Sequence, residues 1–204
     1  MRGRRKKLDF WGNFLRLVLG LSLILSAVSG IFRPVLTSDV IKSVGEKSWV
    51  VQDLNGKLRF LQKTLQGIVD GKVSNCRYGN SVWAIKKDGL LLNSRCTLYK
   101  SATEEVSIWG WPLQTAGLLT TGFSCRSFNI LSGRVTEWPD GQVGYVIRKA
   151  NTSWVHQKWD ASVVQLDANT WIIEYQRSSI LDNSRLYSAA IQFMKHRISR
   201  MAKG

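Results

Sequence analysis

The feature that most constrains this chain is a nearly unbroken apolar run, Leu17 to Phe32, set directly behind a cluster of cations (Arg2, Arg4, Arg5, Lys6, Lys7). Extended over Phe10, Trp11 and Phe14 on one side and Val35 and Leu36 on the other, it reaches the roughly 20 residues needed to cross a hydrocarbon core. Arg16 and Arg33 stand near its ends, where long cations snorkel, and Trp11 stands where an interfacial aromatic belongs. The pattern predicts a basic cytosolic tail over 1–9, a transmembrane signal-anchor over 10–36, a juxtamembrane linker over 37–48 and one globular domain over 49–204. Because the cations precede the span, the domain is expected in the lumen: a single-pass type II protein of the secretory-pathway membrane, with the endoplasmic reticulum favoured. Two alternatives compete. Ala27-Val28-Ser29 offers a signal peptidase its small residues, so cleavage near Ser29 would release a secreted domain, and the Arg-rich, acid-poor start allows an organellar membrane.

Charge supports the membrane reading. Of the net +15, residues 1–33 carry seven Lys/Arg against one Asp, and residues 185–204 carry five against no acid. The middle of the chain is only mildly basic. Cations concentrated at the two ends fit a bilayer surface and argue against nucleic acid as a partner.

Downstream, Val51, Leu54, Leu58, Leu61, Leu65 and Ile68 recur at alternating intervals of three and four, the stripe of a helix ending near Asp70-Gly71. A stripe this short, interrupted by Gly56 and Gly67, predicts packing on the domain's own sheet rather than a dimerising coiled coil. From Asn80 to Arg177 short runs rich in Val, Ile, Thr, Tyr and Trp alternate with turn residues. Asp88-Gly89 and Pro139-Asp140-Gly141 are turns by their chemistry. Eight or nine consecutive strands of this kind predict an antiparallel β-meander, either a curved sheet or a barrel. From Leu186 to Met201 a second stripe (Tyr187, Ile191, Met194, Ile198, Met201) predicts a C-terminal amphipathic helix. Its basic side, with Arg185, Lys195 and Arg200, would meet a membrane or a partner. The fold class is therefore α+β.

Chemistry-bearing patterns are few. Three cysteines in a lumenal domain give one disulfide and one free thiol. The hairpin about Asp88-Gly89 would put Cys96 opposite Ser81, near Cys76, so Cys76 with Cys96 is the favoured pair and Cys96 with Cys125 the runner-up. Asn151-Thr152-Ser153 is an N-glycosylation sequon in a predicted turn. His156 and His196 lie far from the cysteines, so neither a metal site nor a Cys-His nucleophile is expected, and nothing points to a cofactor. The adjacent Glu104 and Glu105 point to opposite faces of a strand, so they read as a solvated strand start rather than an acid/base pair.

Nine tryptophans are the oddest feature. Trp109 and Trp111 share a strand face next to Pro112, and with Trp138 they are the residues expected to bind. The reading that results is a non-enzymatic subunit or adaptor in a membrane-associated protein complex. The alternatives are a lipid- or glycan-binding module built on an aromatic-lined sheet face and an enzyme of unrecognised class.

Overall fold

A computed structural model of the protein describes Gly20 and residues 34–70, 73–77, 83–88, 91–101 and 103–178. The expected anchor up to Arg33 and the basic C-terminal helix, with Arg185, Lys195 and Arg200, lie outside the described residues. Among the described residues no helix is long and apolar enough to cross a membrane.

Two helices open the domain. Helix α1, Ser38–Lys47, starts where Thr37 accepts a hydrogen bond from the Val40 N–H, carries Asp39 in its first turn and Lys47 in its last, and buries Ile41, Val44 and Gly45. The segment expected to be a linker is therefore part of the fold. Its apolar anchors, Val40, Ile41 and Val44, span too short a stretch to stand out as a periodic stripe, yet a cap and a buried face suffice once a sheet is there to receive them. Leu36, expected within the membrane span, is 1% exposed in the same core. A short 3-10 turn, Ser48–Val50, leads to helix α2, Leu54–Gln66, capped by Asp53, whose carboxylate accepts from the Gly56 N–H at 2.6 Å. Leu58, Leu61 and Leu65 are its buried ridge.

Ten strands follow: β1 Ala84–Asp88, β2 Leu91–Lys100, β3 Glu104–Trp111, β4 Thr115–Thr120, β5 Cys125–Ser132, β6 Arg134–Pro139, β7 Val146–Lys149, β8 Ser153–His156, β9 Ala161–Leu166 and β10 Thr170–Arg177. They form two antiparallel sheets, one ordered β1-β2-β3-β10-β5-β8 and the other β4-β9-β6-β7. This departs from a simple meander. Strand β10 inserts between β3 and β5, pairing Ile173 with Ile108 on one side and with Asn129 on the other. Between β4 and β5 the chain breaks around Gly122, whose positive φ lets it leave one sheet and enter the other.

Strand alternation divides the interior into two apolar layers. On one face of the six-stranded sheet, Cys96, Leu98, Val106, Ile108, Leu131, Ile173 and Tyr175 pack against Ile41, Val44, Leu58, Leu61 and Leu65 from the helices. On its other face, Leu91, Trp109, Phe128, Ile130, Trp154 and Ile172 meet Leu119, Val135, Val164 and Leu166 of the four-stranded sheet. The order is helices, sheet, sheet, with an apolar layer in each interface. Gly45 permits the close approach of α1 to β5, since a Cβ there would lie 2.9 Å from the Asn129 side chain.

Cys76 and Cys96 are joined by a disulfide, with their Cα atoms 5.9 Å apart. The hairpin turn lies one position further along than expected: Asp88 pairs with Leu91, and Arg95 pairs with Ala84 where the expected register would set it opposite Val82.

Candidate functional site

Three features have more chemistry than packing requires. The first lies between the sheets. Glu174 on β10 is fully buried and both its oxygens are taken: Arg126 Nε donates to Oε1 at 2.6 Å, while Arg126 Nη2 and Arg95 Nη2 reach Oε2 at 3.0 and 2.9 Å. Arg95 also donates to Ser107 Oγ and Arg126 to the Thr120 carbonyl, and the two guanidiniums lie over the rings of Trp109 and Phe128. Burial alone would raise the Glu174 pKa, but the charges of Arg126 and Arg95 and their hydrogen bonds hold it down at about 2. With its carboxylate so engaged, Glu174 holds both arginines in place and organises the core.

The second is a cavity of about 340 Å³ at one end of the domain, lined by residues of β6 to β9 and their turns. Glu137 is 1% exposed and lies at its base, where Oε1 is 2.5 Å from His156 Nε2 and Oε2 accepts from Arg148 Nε at 2.7 Å. Here too burial opposes ionisation, and the hydrogen bonds from His156 and Arg148 win, lowering the Glu137 pKa to about 2. Arg148 lies over Trp154, 4.9 Å from the ring centroid. Three lining residues each retain a buried polar atom without a partner: His156 Nδ1, Trp154 Nε1 and Ser162 Oγ. At the mouth, Asp140 and Asp160 add acid groups, and Trp159 is 66% exposed, held at φ 69 and edge-on to Phe123. Left-handed backbone at a bulky residue is costly, and such strain clusters at working sites. The arrangement can orient a ligand by hydrogen bonds and an aromatic contact.

The third is the outer face of the four-stranded sheet. Leu118 pairs with Val163, and Val163 with Trp138, forming an outward row whose members are 37%, 47% and 37% exposed. Ile147, on the same face, is exposed, and Tyr145 sets its ring 5.8 Å from Trp138.

The residues expected to bind are thus dispersed. Trp109 is 1% exposed inside the inter-sheet core, edge-on to Phe128, which corrects its reading as a surface aromatic. Alternation places Trp109 inward because Val106 and Ile108 point the other way, toward the helices. Trp111 is half-buried at the end of β3, and Trp138 lies within β6 rather than at a turn. Cys125 is a free, partly exposed thiol. Asn151 is exposed in the turn between β7 and β8. Among the described residues no group of three or more His, Cys, Asp or Glu could hold a metal ion.

Glu104 needs the opposite correction. It is 3% exposed, not solvated, and its carboxylate accepts from the Val35 and Leu36 N–H groups and from the Tyr175 hydroxyl. Glu137, Arg148 and Glu174 went unread because their partners come from other strands; only His156 drew attention by its residue type.

The described residues thus form a two-sheet antiparallel β domain of α+β class, with helices on one face and a polar cavity lined by β6 to β9. The chain belongs to the ERG2 and Sigma1 receptor like protein family, whose model matches residues 14–185. It is similar to the sigma non-opioid intracellular receptor 1 of Xenopus tropicalis, 33% identical over 98 residues, and to that of Gallus gallus, 31% identical over 98 residues. Each match covers 48% of this chain and 44% of the relative, so the chain matches a little under half the length of these relatives. Among solved structures, an RmlC-like cupin from Shewanella frigidimarina shares 11% identity at a TM-score of 0.42, covering 52% of this chain and 94% of that one, a likeness that supports no functional argument.

Proposed function

We propose that this protein is a non-enzymatic, single-pass type II protein of the endoplasmic reticulum membrane whose lumenal β domain is a subunit or adaptor in a membrane-associated complex. The observation that carries the reading is the outward row Leu118–Val163–Trp138 with Ile147 and Tyr145 beside it, an apolar face backed by the buried inter-sheet cluster. Contiguous exposed apolar surface of this kind marks interaction sites, and aromatic residues at its centre supply binding energy. The basic cluster before the apolar run supports the orientation. The Cys76–Cys96 disulfide supports an oxidising compartment.

The test is co-purification of the full chain from solubilised membranes. Trp138→Asp with Val163→Asp should release the partner while the purified protein keeps its Tm. Retention of the same partner by the double variant would sink the adaptor reading.

A second reading is favoured by the end cavity: a receptor-type module taking a small hydroxylated ligand, such as a glycan, between Trp159 and the Glu137–His156–Arg148 group. Its volume falls in the range of small-molecule sites, and the three unpartnered polar atoms and the strained Trp159 are what a binding site leaves behind. The names of the relatives, which call them receptors, agree with a binding role. Isothermal titration with mono- and oligosaccharides against the protein and its Trp159→Ala variant tests it; no heat with any of them removes this reading.

A further inference from the structure

We propose that Asn151 carries an N-linked glycan, an inference that rests on the lumenal orientation proposed above. Asparagine at this position has a structural explanation of its own, since it sits at φ 65 in the β7–β8 turn and asparagine tolerates that backbone region well. The turn also accounts for Thr152, whose N–H and hydroxyl both donate to the Lys149 carbonyl. It does not account for Ser153. That residue pairs with Asn129 in the ladder through its backbone, while its hydroxyl forms no hydrogen bond among the described residues. The Asn151 side-chain amide is likewise without a partner and exposed, although its backbone N–H is fixed to the Ile130 carbonyl at 2.8 Å. The exposed Asn151 amide in the turn and the half-buried Ser153 hydroxyl at the start of β8, the first and third positions of a sequon, thus both lack a hydrogen-bonding partner within the domain. The Cys76–Cys96 disulfide, on a different part of the fold, supports the oxidising compartment that the proposed orientation implies.

The donor is a polyisoprenyl-pyrophosphate-linked oligosaccharide. Asn151 Nδ2 bonds to the anomeric carbon, the bond from that carbon to the pyrophosphate breaks, and the pyrophosphate departs with the electron pair as the amide loses one proton to a base of the transferase. The glycan would project from the end of β7 where Lys149 faces Arg134. It would leave the Trp138 end of β6 uncovered, and so confine a protein partner to the Leu118–Val163–Trp138 row.

The experiment is translation of the full chain with microsomes, read by gel mobility before and after peptide-N-glycosidase. One upward shift, reversed by the enzyme, abolished by Ser153→Ala and kept by Ser153→Thr, is the expected result. A control places a second sequon in the exposed β6–β7 loop with Gln142→Asn/Gly144→Thr; a Cβ at Gly144 would meet nothing within 4 Å. If this control is modified and the native turn is not, the Asn151 inference is overturned while the lumenal orientation stands. If neither is modified, the orientation fails and the inference with it.

Discussion

The Tyr175 hydroxyl lies 2.9 Å from Glu104 Oε1 and 2.8 Å from the Leu36 carbonyl, tying strand β10 to the first residues of the domain. The same carboxylate accepts the N–H groups of Val35 and Leu36, so one buried acid organises the meeting of three segments. Burial and the bond to Glu104 push the phenol pKa upward, which keeps Tyr175 a donor across the whole working pH range. Tyr175→Phe removes that donor from two buried acceptors and should destabilise the domain by about 1–3 kcal/mol, the cost of stranding them. Urea denaturation measures it, and an unchanged midpoint would show that the bond is energetically idle.

Glu174→Ala leaves Arg95 and Arg126 facing each other without their shared counter-charge. Removing one member of a buried ionic group costs about 3–5 kcal/mol, a large part of the stability of a domain this size. The expectation is a purified variant with a sharply lowered Tm or no folded protein at all. A Tm within a degree or two of wild type would mean that the arginines reach water after the substitution.

Acid should unfold the domain over a definite window. Glu137 and Glu174 both titrate at about 2 in the folded protein, below the 4.5 of an ordinary glutamate. Each therefore contributes stability that is fully present above pH 4.5 and is lost as the pH falls toward 2, because the unfolded chain takes up the proton first. Calorimetry at stepped pH should show Tm falling through that interval, less steeply in Glu137→Gln. A flat profile there would contradict the charge assignments.

Trp109→Ala removes a ring buried between the sheets, so it should cost about 3–5 kcal/mol of stability. This is the opposite of what a surface-binding tryptophan predicts. A folded variant of wild-type Tm that had lost a partner would restore the surface role.

Local chemistry explains which parts of the architecture could be read from the residues. Leu58, Leu61 and Leu65 announce their helix because each lies one turn from the next, and the closeness of Cys76 to the hairpin made Cys96 its natural partner. The helix Ser38–Lys47 has Val40, Ile41 and Val44 as its apolar anchors, all within about one turn, and its order comes from the sheet it meets. The insertion of β10 between β3 and β5 depends on pairings distant in sequence, for which alternation within a strand carries no signal. The cavity was hidden for the same reason: Glu137 and His156 are 19 residues apart and meet only because both strands point them inward, while Trp159 gains its place from a turn conformation unusual for its type.

The bonds around Glu104 also bring distant parts of the chain to one point. Val35 and Leu36 are held by Glu104, Arg177 pairs with that same residue across the ladder, and Ser178 donates to the Thr103 carbonyl. A single change at Glu104 would therefore slacken both the approach to α1 and the close of β10 at once.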